Sequence, residues 1–312
     1  MRLLWIFSPA AGILILAILG YGVHGAFKYT RMIGNIFFGL VYNPPLEETS
    51  AGRVRGELVT ILDTSDTEIE TLFLEKKDAK GLIIFCHESG ASKESWEKYS
   101  YFLPDLGYRI LSLDFKNESA DGQRNIFFQW PTERDVDRLL TAVRWARKAC
   151  PPRTPVILFG VSKGADIALA ASFRDEAVRA VVADGLFSMK EIFRDYIRKW
   201  APVLVRPNFF GEKTPEWIVR AFANLGFWYS QKISGVRFIE VENLLKKRRV
   251  PILMIYGRQD NTVPAGHQDT LQRIGRDVTL ERLVVAEAGH NEAVMKDRSS
   301  YEKAIAEFLS RL

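Results

Sequence analysis

The hydrophobic pattern of this chain opens on one uninterrupted run and then breaks into short alternating pieces. Leu3 to Val23, "LLWIFSPAAGILILAILGYGV", holds no charged residue. A helix of that length rises roughly 30 Å, the thickness of a hydrocarbon core. Trp5 and Tyr21 stand near its ends, where interfacial aromatics gather. The run predicts a single-pass N-terminal transmembrane anchor over residues 1–24. A cleaved signal peptide is the rival reading, but such segments have shorter apolar regions, and no clear A-x-A site follows. Arg2 on one side nearly balances Lys28 and Arg31 on the other, so the side of the membrane stays open. Residues 25–55 mix aromatics with those cations up to Pro44-Pro45. They read as a juxtamembrane connector, either an interfacial helix or a segment packed on the globular domain.

From about Gly56 the period shortens to that of strands. Glu57–Leu62 and Glu68–Glu75 flank a Thr-Ser-Asp turn, and "GLIIFC" at 81–86 is apolar throughout, as in a sheet covered on both faces. Strand and helix patterns then alternate. A helix around Lys93–Leu106 precedes the strand Tyr108–Asp114. A second helix runs from about Pro131 to Ala149, with Val136, Leu139, Leu140, Val143 and Trp145 at helical spacing. The strand 156–160 leads into a small-residue helix, and strands follow at 178–184, 250–257 and 280–288. A closing helix covers about Ser299–Leu312. This alternation predicts an α/β domain over residues 56–312, a mostly parallel sheet with helices on both faces.

One interval breaks the rhythm. Between Asp184 and Val250 no buried strand is visible, only helix-like pieces divided by prolines. Residues 188–250 carry 13 Lys and Arg against 6 Asp and Glu, a net +7 where the whole chain is +5, together with 11 aromatics. They read as an insertion. Its charges are either solvated on amphipathic helices or rest on anionic headgroups. Cys86 and Cys150 are too few for a disulfide framework and lack metal-ligand spacing. No phosphate-cradling loop, metal cluster or nucleic-acid motif appears, so no cofactor, metal or nucleic-acid partner is expected.

In open α/β sheets ligands bind at the carboxyl ends of the strands. Three polar residues fall just past such ends: Ser162 in "FGVSKGA", Asp260 in "YGRQDNTVP" and His290 in "AEAGHNEA". A serine hydroxyl is a weak nucleophile until a base takes its proton. His290 is the candidate base, and Asp260 the carboxylate that sets its tautomer, with Asp184 as a rival. Gly160 and Gly164 flank the serine where strand and helix come too close for a Cβ. Gly289 lets the histidine loop bend. His87 reads as a loop-ordering residue, His267 as a helix residue pointing elsewhere, and Asp135 and Asp137 as a solvated helix start.

The segments "HESGASKESWEKYSYFLPDLGYRILSLDF", "FGVSKGA", "PILMIYGRQDNTVP" and "AGHNEA" resemble the serine hydrolases of the α/β-hydrolase superfamily, most of all membrane-anchored esterase and lysophospholipase-like branches. The resemblance covers about residues 57–312. It implies an α/β-hydrolase fold, an eight-stranded sheet with a helical lid after the sixth strand, where 188–250 sits. It also implies the order Ser, Asp, His along the chain and an oxyanion hole built from the backbone N–H groups of Lys163 and Ser89. Where the family has His-Gly-x, this chain has His87-Glu88-Ser89, which puts a carboxylate beside the site.

The expected activity is hydrolysis of a carboxylic ester with a lipid-like acyl group through an acyl-enzyme intermediate. Glu88, Trp200, Trp217, Phe227 and Trp228 are the candidate substrate contacts. An acyl-CoA thioesterase or acyltransferase, a serine peptidase using the same triad, and a non-catalytic membrane tether remain alternatives.

Overall fold

The computed structural model describes residues 9–39, 55–63, 67–115, 117–118, 125–126, 129–205, 211–246, 250–275 and 280–312. Of these, 9–39 with 193–235 form a smaller compact unit, and 55–192 with 236–312 a larger one.

The larger unit is built on an eight-stranded sheet. Its strands are β1 (Glu57–Leu62), β2 (Glu68–Leu74), β3 (Gly81–Cys86), β4 (Tyr108–Leu113), β5 (Val156–Val161), β6 (Val178–Asp184), β7 (Ile252–Gly257) and β8 (Leu280–Val285). They lie in the order β1-β2-β4-β3-β5-β6-β7-β8. β1 pairs antiparallel with β2, and β2 with β4; all the other pairs are parallel. The insertion follows the sixth strand, as expected. Strands β3, β4, β5 and β7 are buried at every position, which is why β3, β5 and β7 read as continuous apolar runs; β4 also buries Arg109 and Ser112.

Successive strand residues face opposite layers. Leu82, Ile84, Leu158 and Met254 join one core with Val136, Leu139 and Val143 of the helix Glu133–Ala149. Ile83, Phe85, Phe159 and Ile255 join the other with Trp96, Tyr99, Tyr301 and Phe308. One expected helix is shorter than its pattern. The one around Lys93–Leu106 is a 3-10 turn, Lys93–Ser95, and a single α-turn, Trp96–Tyr99. There the Ser100 hydroxyl bonds back to the Trp96 carbonyl, and Pro104 lacks the N–H to continue. The closing helix, Arg298–Leu309, lies close to the expected Ser299–Leu312; the Asp297 side chain caps it by accepting from the Ser300 N–H, and a separate short turn, Ala293–Lys296, precedes it.

In the smaller unit a helix, Pro9–Gly39, runs unbroken across the expected boundary at residue 24. Residues 28–34 of this helix hold it against a second one, Glu216–Ser234. Tyr29 meets Phe222 edge to face, and Ser230 donates to the Gly34 carbonyl. Among the described residues no helix is long and apolar enough to cross a membrane. Leu3 to Ser8 of the expected span lie outside the described residues, and beyond residue 24 the helix carries Lys28 and Arg31.

The tightest point of the fold joins β5 to the helix Lys163–Ser172. A Cβ on Gly160 would stand 2.2 Å from the Gly164 carbonyl oxygen, and one on Gly164 would stand 2.0 Å from that of Cys86. Both glycines are therefore required by contact. Gly164→Ala should destabilise the protein by at least about 1–3 kcal/mol, the cost of overpacking a close contact. Gly266→Ala, on the helix Ala265–Ile274 with nothing within 4 Å of the added carbon, should be neutral or mildly stabilising. Urea unfolding of the two variants checks the contrast.

Candidate active site

The turn after β5 places Ser162 at φ 50°, ψ −117°, a backbone region that non-glycine residues rarely occupy and that costs about 1–3 kcal/mol. Neighbouring strands hold it there: the Ser162 N–H donates to the Asp184 carbonyl at 2.7 Å. The strained turn aims the side chain away from both chain directions. Its Oγ lies 2.8 Å from His290 Nε2.

His290 sits in the loop after β8. Its Nδ1 is 2.7 Å from Asp260 Oδ2, in the loop after β7. Asp260 is itself fixed, since its other oxygen accepts from the backbone N–H groups of Thr262 and Val263 at 2.8 and 2.7 Å. With the carboxylate accepting from Nδ1–H, Nε2 is left with its lone pair toward the serine hydroxyl. The three residues expected to act together are thus brought into one hydrogen-bonded chain. The rival carboxylate, Asp184, is engaged elsewhere: it accepts from the buried Tyr301 hydroxyl at 2.9 Å. The bend in the histidine loop differs from expectation. Asn291 takes the left-handed conformation, at φ 59°, while the Gly289 N–H donates to the Glu292 side chain at 3.0 Å.

The expected oxyanion donors lie on the two neighbouring turns. Lys163 is the first residue of its helix, so its N–H belongs to the terminal set without an intrahelical carbonyl, at the positive end of the helix dipole. Ser89 follows a peptide whose orientation is set. The Glu88 carbonyl accepts from His87 Nδ1 at 2.7 Å and from the Ala91 N–H at 3.3 Å, and in a trans peptide the Ser89 N–H must point the opposite way. His87 is the loop-ordering residue expected. Its Nε2 accepts from the Phe115 N–H at 3.2 Å, and burial holds its pKa below the usual histidine range. The Glu88 side chain is drawn into the same loop, accepting from Tyr99 at 2.8 Å and Ser95 at 3.4 Å.

One expectation is corrected. Asp137 is exposed, but Asp135 is not on a solvated helix start: it is fully buried. It forms a reciprocal capping box with Thr132, and its carboxylate stands 3.3 Å from the ammonium of Lys163, whose side chain is only 3% exposed. Burial lowers the Lys163 pKa, and Asp135 opposes that shift. Lys163 therefore anchors the Ser162 turn to the helix Glu133–Ala149 through its side chain. The Thr132-x-x-Asp135 spacing carried a capping signal, but nothing in the sequence marked its partner. Nor did any pattern mark Tyr301 or Tyr99. The aromatic candidates belong to the smaller unit, where Phe227 is buried against Phe193. Trp200, Trp217 and Trp228 are 43%, 71% and 55% exposed.

Substitution tests the buried charges directly. Lys163→Met leaves the Asp135 carboxylate buried without its ammonium and should cost about 3–5 kcal/mol in urea unfolding. Asp137→Asn, on the exposed face, should stay within about 0.5 kcal/mol. For Asp184, burial pushes the pKa from 3.8 up to about 7. Between those pH values the folded protein keeps a proton that the unfolded chain has released. Stability should therefore fall as pH rises through the window, by up to about 1.4 kcal/mol per pH unit. Asp184→Asn should flatten that part of the wild-type slope in denaturant titrations at pH 4.5, 5.5 and 6.5.

The same architecture occurs in solved structures. An esterase from Pyrococcus furiosus aligns over 87% of this chain and 98% of its own, at 20% identity and a TM-score of 0.64. An esterase from Exiguobacterium antarcticum aligns over 80% of this chain and 98% of its own, at 17% identity and a TM-score of 0.53. A hydrolase from Pseudomonas aeruginosa aligns over 81% and 98%, at 16% identity and a TM-score of 0.54. Likeness at such identity speaks for the fold alone. No curated protein matches the sequence, and none of these likenesses points to a membrane-anchored or lysophospholipase-like branch. The model of the alpha/beta hydrolase family matches residues 83–307, a stretch that includes Ser162, Asp260 and His290. The chain belongs to the alpha/beta hydrolase family.

Proposed function

We propose that this protein is a serine hydrolase that cleaves carboxylic esters through an acyl-enzyme intermediate. The observation that carries the proposal is the hydrogen-bonded chain Ser162 Oγ, His290 Nε2, His290 Nδ1, Asp260 Oδ2, with contacts of 2.8 and 2.7 Å. Ser162 Oγ attacks the ester carbonyl while His290 Nε2 takes its proton, and Asp260 stabilises the resulting imidazolium. The backbone N–H groups of Ser89 and Lys163 receive the oxyanion. His290 then gives the proton to the leaving alcohol oxygen, and the acyl group remains on Ser162. Water, deprotonated by His290, attacks the acyl-enzyme, releasing the acid and restoring the hydroxyl.

The acyl part is proposed to be medium or long. The aromatic content of 188–250 supports this reading. Attachment to a membrane through the N-terminal helix is part of the same proposal. It is supported by the uncharged run Leu3–Val23 and by the exposed Ile13, Leu16, Leu19 and Val23. The choice of an oxygen ester over a thioester or an amide is part of the proposal, by analogy with the neighbours described as esterases.

Ser162→Ala should lower kcat on p-nitrophenyl esters by roughly 10⁴–10⁶-fold and abolish labelling by a fluorophosphonate probe. Turnover retained in that variant removes the proposal. A parallel panel of oxygen esters, acyl-CoA thioesters and aminoacyl amides, run over a series of chain lengths, should show its highest kcat/KM on the longer oxygen esters.

A further inference from the structure

The smaller unit contains a cavity that the catalytic reading does not use. It measures about 620 Å³ and lies between residues 21–33 of the N-terminal helix and residues 196–205 and 213–222. That volume is within the roughly 300–1,000 Å³ of small-molecule sites. Tyr29, Met32, Trp200 and Phe222 give its walls their apolar character, and among the described residues that line it Lys213 alone is charged.

The sequence explains why the space is open. Tyr21, Gly22, Gly25, Ala26, Tyr29, Met32 and Ile33 recur at three- and four-residue steps, so they share one helix face. Lower on that face the packing closes: a Cβ on Gly226 would stand 2.6 Å from Ile33, and one on Gly34 would stand 2.3 Å from Tyr229. Higher up, Gly22 and Gly25 put no side chain into the gap, and a Cβ on either meets nothing within 4 Å. Glycine within a helix is otherwise unfavourable relative to alanine by about 1 kcal/mol. Two such residues facing an open apolar space keep a site clear at some cost to the helix.

An apolar chamber of this kind holds water poorly. Its occupant must be mostly hydrocarbon, and the exposed Lys213 at its rim complements one anionic head. We propose that this cavity is a binding site for a long-chain carboxylate, a free fatty acid, with the tail among Tyr29, Met32, Trp200 and Phe222 and the carboxylate at Lys213. The inference does not depend on the catalytic reading, because every residue that lines the cavity lies in the smaller unit.

The test is photo-cross-linking of the full chain in phosphatidylcholine nanodiscs, using palmitate with a diazirine near its methyl end, followed by peptide mapping. Labelling is expected on peptides that carry Tyr29 or Met32 and Trp200 or Phe222. Unlabelled palmitate should compete and hexadecyltrimethylammonium should not. Gly25→Leu and Gly22→Leu fill the cavity and should reduce labelling several-fold while leaving the unfolding temperature unchanged or raised. Lys213→Glu should weaken competition by palmitate several-fold. Labelling that persists in both leucine variants is contact with bilayer lipid and overturns the site. Equal competition by the cationic amphiphile overturns the choice of ligand. Should the leucine variants unfold, an unchanged response in Lys213→Glu overturns the proposal on its own.

Discussion

The active-site half of this protein depends on one close approach, that of β5 to the helix that follows it. Gly164 lies so near the end of β3 that no Cβ fits between them, and Gly160 lies equally near Gly164. With strand and helix that close, the chain turns through a single residue, and Ser162 takes a positive φ. The strain is local, of order 1–3 kcal/mol, and the parallel pairing of β5 with β3 and β6 sustains it. Everything else in the site is arranged around the position this gives to Oγ.

The arrangement is also electrostatic. Asp260 has both oxygens occupied, by two backbone N–H groups and by His290, so its carboxylate is held in place by hydrogen bonds on both sides. Lys163 and Asp135 form a buried ion pair on the other side of the turn. Such a pair gains little net free energy, because desolvation offsets most of the attraction. Its effect is positional, tying the first residue of one helix to the capping residues of another. Asp184, which accepts from Tyr301, is a further buried carboxyl, and burial raises its pKa to about 7.

Much of the larger unit could be read from the chain because its signals are local. A strand buried on both faces must be apolar at every position, so β3, β5 and β7 appeared as short apolar runs. A tight strand-to-helix turn needs small residues on either side, and Gly160 and Gly164 flank Ser162. Where a pattern failed, a local competitor had won: the Ser100 hydroxyl bonds back to the Trp96 carbonyl where the helix was expected to continue. The N-terminal run was harder. Apolar length predicts a span, whereas contacts such as Tyr29 with Phe222 come from residues nearly two hundred positions away.

The sequence by itself determined the α/β alternation, the place of the insertion after the sixth strand, and the three residues past strand ends that meet at the site. These follow from periodicity and turn chemistry, which act over a few residues. Only the tertiary structure decided which carboxylate His290 meets and that Asp135 lies buried against Lys163. It alone showed that Glu88 turns into its own loop and that Gly22 and Gly25 leave an apolar space unfilled. Those outcomes depend on which distant surfaces come within a few ångströms of each other, and no local pattern carries that distance.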